Sequence, residues 1–242
     1  MKVIGFIPSR YGSTRFLAKS LAKIDGKTMI EMVYSNVKSS KKLDDLIVLT
    51  DDERIARVVA NFNGKFEMTD KNCNSGIDRI ISVLDKFDCD IVVNIQGDEP
   101  LANAEDIDKL LPLFKDETIN VTTLVRKINE KNFIEDPNIV KVVLDGENNG
   151  IYFSRATIPF NRDNVEKITY YQHIGIYAYR KKVLKKFVEM KSRNLENIEK
   201  LEQLRFLENG YKIKTVETQN IYMSVDTKDD LESVQKFILK QK

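Results

Sequence analysis

Cysteine and histidine are nearly absent from this chain of 242 residues, and proline and glycine are sparse: there are two Cys, one His, five Pro and ten Gly. Cys73 and Cys89 form no C-x-x-C pair, which fits a reducing cytoplasm better than a disulfide framework. So few prolines and glycines leave no obvious hinge, and no internal repeat, low-complexity tract or composition break marks a linker. The chain therefore reads as one domain over residues 1–242, with apolar residues at 42% to build a large shared core. Nothing at the N-terminus resembles a signal peptide, because Met1 and Lys2 lead straight into a strand-like run. No apolar run approaches the roughly 20 residues needed to cross a bilayer. Charge of one sign is also missing: 39 basic against 37 acidic residues leave a formal +2. That balance gives no field to hold the protein on nucleic acid or an anionic membrane, so the expected partners are small molecules.

What is present is an alternation of short apolar runs and helical periodicity. Val3-Ile4-Gly5-Phe6-Ile7, Leu46-Ile47-Val48-Leu49-Thr50 and Ile91-Val92-Val93-Asn94-Ile95 read as buried strands. Between them the spacing predicts helices over 28–39, 52–60 and 78–87. Strands alternating with helices imply crossover units and an α/β fold with a mainly parallel central sheet flanked by helices. The second half is less regular, with strands expected near 120–124, 140–144 and 174–179 and helices near 181–190 and 196–207. A closing helix is expected over about 227–239, capped by Asp226 or Thr227, with Leu231, Val234 and Ile238 on one face.

Ligands of open α/β sheets collect beyond the carboxyl ends of the strands. The first such loop, Pro8 to Arg15 with Lys19 shortly after, offers small residues and the cations Arg10, Arg15 and Lys19, which suit a polyphosphate. A plain Gly-Ser turn with solvated cations fits equally, and the Walker spacing is missing. The third strand ends in Gln96-Gly97-Asp98-Glu99-Pro100, where Asp98 could bind Mg²⁺ or simply belong to a turn. Asp226, far along the chain, is an N-cap, the second carboxylate of a Mg²⁺ site, or both. Asn74-Ser75-Gly76 enters a helix whose N–H groups favour anions or base carbonyls, although Ser75 also reads as a simple cap. His173 is compatible with a satisfied structural role. Glu199, Glu202 and Gln203 share a helical face that solvation alone would explain. One D-x-D triplet, Asp88-Cys89-Asp90, precedes a strand rather than ending one, which argues against it as the metal motif of a glycosyltransferase.

Taken in order, several segments resemble the 3-deoxy-manno-octulosonate (Kdo) cytidylyltransferases, also called CMP-Kdo synthetases. They are I-P-S-R-Y-G-S-T-R at 7–15, S-G-I-D-R at 75–79, V-N-I-Q-G-D-E-P at 93–100, N-I-V-K-V-V-L-D at 138–145, Y-F-S-R-A-T-I-P-F at 152–160, H-I-G-I-Y-A-Y-R at 173–180, L-E-Q-L-R at 201–205 and V-D-T at 225–227. The resemblance implies a Rossmann-like nucleotidyltransferase fold in a cytoplasmic homodimer. Residues of about 1–125 would bind nucleotide, and about 126–215 would serve the sugar acid and dimerisation. It implies transfer of CMP from CTP to Kdo for lipopolysaccharide synthesis, by attack of the anomeric hydroxyl on the α-phosphorus with loss of pyrophosphate. Arg10, Arg15 and Lys19 would hold the triphosphate, and the surroundings of Pro8, Ser9, Ser75 and Gly76 would read cytosine. Asp98 and Asp226 would bind Mg²⁺. Arg79, Gln96, Arg155, His173, Glu202 and Gln203 would surround the sugar acid. Departures cluster at the phosphate loop: the family usually reads R-L-P-G-K-P-L where this chain has Arg15-Phe16-Leu17-Ala18-Lys19-Ser20-Leu21. Ser9 also stands in place of alanine, and Ile77 in place of threonine.

Overall fold

The unbroken apolar run at the N-terminus becomes strand β1 (Val3–Ser9), buried along nearly its whole length in a computed structural model that describes residues 1–12 and 16–241. Arg15 lies outside the described residues. The chain falls into two compact units, one of Met1–Asp108 with the stretch from Ile221 onward, the other of Lys109–Asn220.

In the first unit, a tight hairpin joins β2 (Lys23–Ile24) to β3 (Lys27–Thr28) through Asp25 and Gly26, both at positive φ, as a two-residue hairpin turn requires. Helix α1 (Met29–Lys38) starts where the Thr28 hydroxyl accepts the Glu31 N–H, and it buries Met29, Ile30, Val33 and Val37. Strand β4 (Asp45–Thr50), helix α2 (Glu53–Asn61), β5 (Lys65–Met68), α3 (Gly76–Val83), β6 (Ile91–Asn94) and α4 (Ala104–Leu110) follow. The strands lie in the order β6-β1-β4-β5, all parallel, with Phe6 opposite both Ile47 and Asn94. Asp52 and Ser75 cap α2 and α3 through their side chains.

The second unit is built on β7 (Val121–Ile128). After α5 (Lys131–Glu135) come β8 (Lys141–Leu144), β9 (Gly150–Ser154), β10 (Tyr170–Arg180), α6 (Lys181–Lys186), α7 (Asn194–Glu199), α8 (Gln203–Glu208) and β11 (Ile213–Glu217). Strand β10 runs antiparallel to β7 and β8, β8 antiparallel to β9, and β11 parallel to β7. Between Ile174 and Tyr177 the β10–β7 register slips. The Thr123 side chain sits at that irregularity, within hydrogen-bonding distance of the Ile174 and Ile176 carbonyls.

The closing helix α9 (Lys228–Lys240) returns to the first unit, where Val234, Leu231 and Ile238 pack with Ile24, Met29 and Met32. Thr227 is its cap, in a reciprocal box with Asp230; Asp226 is therefore released from capping. The expected helix over 196–207 is instead two helices. Lys200 stands between them in the left-handed region at φ 56 and ends α7. The helix expected to reach Met190 stops at Lys186. Among the described residues no helix is long and apolar enough to cross a membrane.

Candidate active site

Loops leaving the carboxyl ends of β1 and β6 line a cleft of about 260 Å³ inside the first unit. The end of β1 contributes Pro8, Ser9 and Arg10, and a single 3-10 turn contributes Lys19 and Ser20. The entry to α3 adds Cys73, Asn74, Ser75, Gly76 and Arg79; the end of β6 adds Gln96, Gly97 and Asp98; Asp226 comes from the residue before the α9 cap. Gly97 is required by close approach, since a Cβ there would meet the Pro8 carbonyl oxygen at 2.7 Å. The end of β1 and the Asp98 loop thus touch at backbone distance.

Asp98 and Asp226 are distant in sequence and meet because the segment 222–226 is laced to the segment 98–106. The Val225 N–H donates to the Asp98 carbonyl at 2.9 Å. Next to it the Ser224 hydroxyl donates to the Glu99 carboxyl, and further along the Tyr222 hydroxyl donates to the buried Asp106 carboxylate at 2.9 Å. Tyr222 and Ser224 anchor the segment through these bonds, and Asp226 at its end reaches Lys19 in the cleft. There both aspartates converge on one ammonium. Lys19 Nζ lies 2.5 Å from Asp98 Oδ2 and 3.0 Å from Asp226 Oδ1, and it also donates to the Val225 carbonyl at 3.1 Å. Burial lowers the Lys19 pKa, but Asp98 and Asp226 outweigh it and the net shift is upward, so the ammonium stays charged at neutral pH. Glu99 behaves differently: burial, reinforced by the Asp98 charge, pushes its carboxyl up to about 8. Near neutrality it is largely protonated and adds little charge to the pair.

Two carboxylates around a cation are the protein's share of a site for a hard divalent ion, which takes one or two carboxylates together with phosphate oxygens and water. The side chains of Asp98 and Asp226 are 27% and 38% exposed, which leaves room for such further ligands. Among the described residues no third His, Cys, Asp or Glu joins a metal-binding group. The residues fit a cation completed by a nucleotide rather than a closed structural site.

Arg79 is placed unlike a free anion receptor. Its side chain is 3% exposed, and the guanidinium donates to Asp51 Oδ2 at 3.0 Å, to the Thr69 hydroxyl and to the Asp70 carbonyl. Asp51, which sequence reading missed, also accepts the Tyr11 N–H at 3.3 Å, so one carboxylate ties the loop after β1 to α3. An acid just past the end of strand β4 was the signal that could have found it. The Tyr11 ring in turn lies 3.4 Å from the Arg54 guanidinium, which grips Asp52 with two nitrogens.

The remaining expected residues belong to the second unit. Arg155 is held by the Glu199 and Pro137 carbonyls, and Glu199 accepts from the Arg155 N–H, Ser154 and Tyr152. Lys141, fully buried on β8, donates to the carbonyls of Asp136, Ile139 and Arg155 and fixes the same corner. Glu202 and Gln203 lead into α8; Gln203 is buried, and its Nε2 has no hydrogen-bond partner among the described residues. A buried amide donor of this kind is costly unless a ligand or water takes it up.

His173 packs its ring against Phe153 and Tyr177 and sets Nε2 3.1 Å from the Thr123 hydroxyl. Burial lowers its pKa to about 3. The unfolded chain, with an ordinary pKa of about 6.5, therefore binds a proton between those values while the native state does not. Stability should fall as pH drops from about 6.5 towards 3, by up to about 1.4 kcal/mol per pH unit from this group. Urea midpoints of wild type and His173→Phe between pH 7 and 4.5 check this. The variant should show the shallower decline, and parallel curves would refute an imidazole held neutral by its surroundings.

Ala18 precedes the Lys19 turn at φ 56. A non-glycine residue there carries about 1 kcal/mol of strain, so Ala18→Gly should raise the urea midpoint by about that much stability, less the added chain entropy of glycine.

Comparison with known proteins gives the family. Residues 4–213 match the family described as cytidylyltransferase. The chain belongs to the cytidylyltransferase family. The 3-deoxy-manno-octulosonate cytidylyltransferase of Fusobacterium nucleatum is 48% identical to it over 240 residues, covering 98% of this chain and 97% of that one. The enzyme of the same name from Thermodesulfovibrio yellowstonii is 45% identical, with 98% of each chain covered. Among solved structures, a CMP:2-keto-3-deoxy-manno-octonic acid synthetase complexed with CTP superimposes with a TM-score of 0.94 at 38% identity over the whole of both chains. A Leptospira borgpetersenii cytidylyltransferase, 17% identical with a TM-score of 0.68, shares the fold of this cytidylyltransferase.

Proposed function

We propose that this cytidylyltransferase transfers CMP from CTP to the anomeric hydroxyl of Kdo and releases pyrophosphate. The full-length match to a synthetase in complex with CTP carries this reading, and the geometry of the cleft supports it. Both reactants are anions, so the residues have to neutralise charge and align the sugar oxygen with the α-phosphorus. Arg10 is exposed just past the end of β1, and Arg10 and Lys19 both line the cleft; they would take phosphate oxygens and steady the departing pyrophosphate. The capped N-terminus of α3, with Ser75 and Gly76, faces the same cleft as Pro8 and Ser9 and offers N–H groups to the nucleotide. Asp98 and Asp226 would hold Mg²⁺. Bound there, the ion would supply charge neutralisation at phosphate and a lowered pKa for the attacking hydroxyl. Gln96, which lines the cleft, is assigned to the sugar acid; for Arg155, His173, Glu202 and Gln203 that role rests on the family resemblance alone. Arg79, whose guanidinium is committed to Asp51, Thr69 and Asp70, is assigned to shaping the cleft wall. The assembly is proposed as a homodimer acting in the cytoplasm, for which sedimentation should give twice the 28.0 kDa chain mass.

Pyrophosphate release measured across CTP, UTP, ATP and GTP with Kdo, 8-amino-Kdo and a nonulosonic acid tests the reading. CTP with Kdo should be turned over fastest. Preference for another sugar acid would reassign the acceptor, and no release from CTP with any of them would overturn the reaction.

A further inference from the structure

The segment carrying Lys19, from Arg15 to Leu21, contains neither proline nor glycine to stiffen or relax it, and Ala18 adopts a strained left-handed conformation immediately before the lysine. Strain of this kind persists only where the surroundings over-determine the backbone. The backbone contributes the Ala18 N–H to the Tyr11 carbonyl at 3.0 Å and the Leu21 N–H to the Ala18 carbonyl at 2.8 Å. The side chains contribute one more link. The Ser9 hydroxyl donates to Ser20 Oγ at 2.7 Å, and both residues are 3% exposed. Ser9 is the last residue of β1 and is held in register opposite Thr50. Ser20 follows Lys19 directly. The bond therefore fastens the turn to a buried strand paired on both sides by β4 and β6, one residue from the lysine whose ammonium bridges Asp98 and Asp226.

We propose that the Ser9–Ser20 hydrogen bond is a positioning latch, which holds Lys19 over the Asp98–Asp226 pair and thereby serves cytidylyl transfer. The inference rests on the proposed CMP transfer, and its geometry is independent of the sugar used. A single serine-to-alanine change leaves the other hydroxyl buried without its partner, whereas changing both removes donor and acceptor together. The two substitutions should consequently not add.

The test uses the full chain with Ser9→Ala, Ser20→Ala and the double variant. Steady-state kinetics with CTP and Kdo are paired with the rate at which an amine-reactive ester labels Lys19, read by peptide mass spectrometry against exposed Lys131. Each single variant should lower kcat about 5- to 30-fold and leave the KM for CTP within about threefold. Lys19 should label several-fold faster with Lys131 unchanged, and the double variant should be no worse than the poorer single. Wild-type kcat together with a wild-type Lys19 labelling rate in the single variants would overturn the latch. A raised CTP KM with kcat preserved would overturn it too, by showing that the hydroxyls touch nucleotide instead. A wild-type chain that releases no pyrophosphate would sink the CMP-transfer reading, while the labelling rates would still decide whether the serines hold Lys19.

Discussion

Asp98→Asn should fold normally and lose about 3–5 kcal/mol of transition-state stabilisation, a fall in kcat of about 10²- to 10⁴-fold. Asparagine keeps the shape of the side chain, and the Val225 N–H bond is to the Asp98 backbone carbonyl, which the substitution leaves alone. Lys19 keeps Asp226 and the Val225 carbonyl as partners. The scaffold around the cleft therefore has no reason to collapse. What disappears is one of the two negative charges proposed to hold Mg²⁺. Measured at saturating CTP and Kdo over a range of Mg²⁺, the variant should require more metal and remain slow when it is supplied. Near-normal turnover would remove Asp98 from the metal site.

Lys19→Met should separate stability from chemistry. In wild type the ammonium donates to two carboxylates and a carbonyl, and methionine fills similar space without the charge. Two aspartates would then face one another uncompensated. Because both remain partly exposed, the expected loss of stability is about 1–3 kcal/mol, below the figure for a fully buried pair. Mg²⁺ should restore much of it, so the rise in unfolding temperature on adding Mg²⁺ alone should exceed that of wild type. Turnover should nonetheless fall by about 10²-fold or more, because a cation aimed at developing charge is gone. A variant that is no less stable without metal, or that turns over like wild type, would contradict the role assigned to Lys19.

Much of the first unit was legible in the sequence because its physics is local. Uninterrupted apolar runs marked β1, β4 and β6, strands covered on both faces, and the helical spacing of Met29, Ile30, Val33 and Val37 marked α1. The strands at 65–68 and 213–217 escaped notice because Lys65, Glu67, Lys214 and Glu217 interrupt short apolar patterns. The break at Lys200 carried no signal, since a lysine in the left-handed region is neither a glycine nor a proline. The two aspartates could be picked as candidates from their places after a strand and before a helix. Their convergence depends on the long-range ties of Tyr222, Ser224 and Val225 to the segment 98–106, which no local pattern reveals. The same limit hid Asp51, whose role comes from touching Tyr11 and Arg79 together, and it hid the pairing of Ser9 with Ser20.

The central claim is that Asp98 and Asp226 act as one unit on one cation, and a double-mutant cycle in kcat tests it most directly. Asp98→Asn and Asp226→Asn should each be severely impaired, and the double variant should be no more than about tenfold slower than the poorer single. Losses that multiply across the cycle, or an Asp226→Asn enzyme that turns over within about threefold of wild type, would show that the two carboxylates do not share a task.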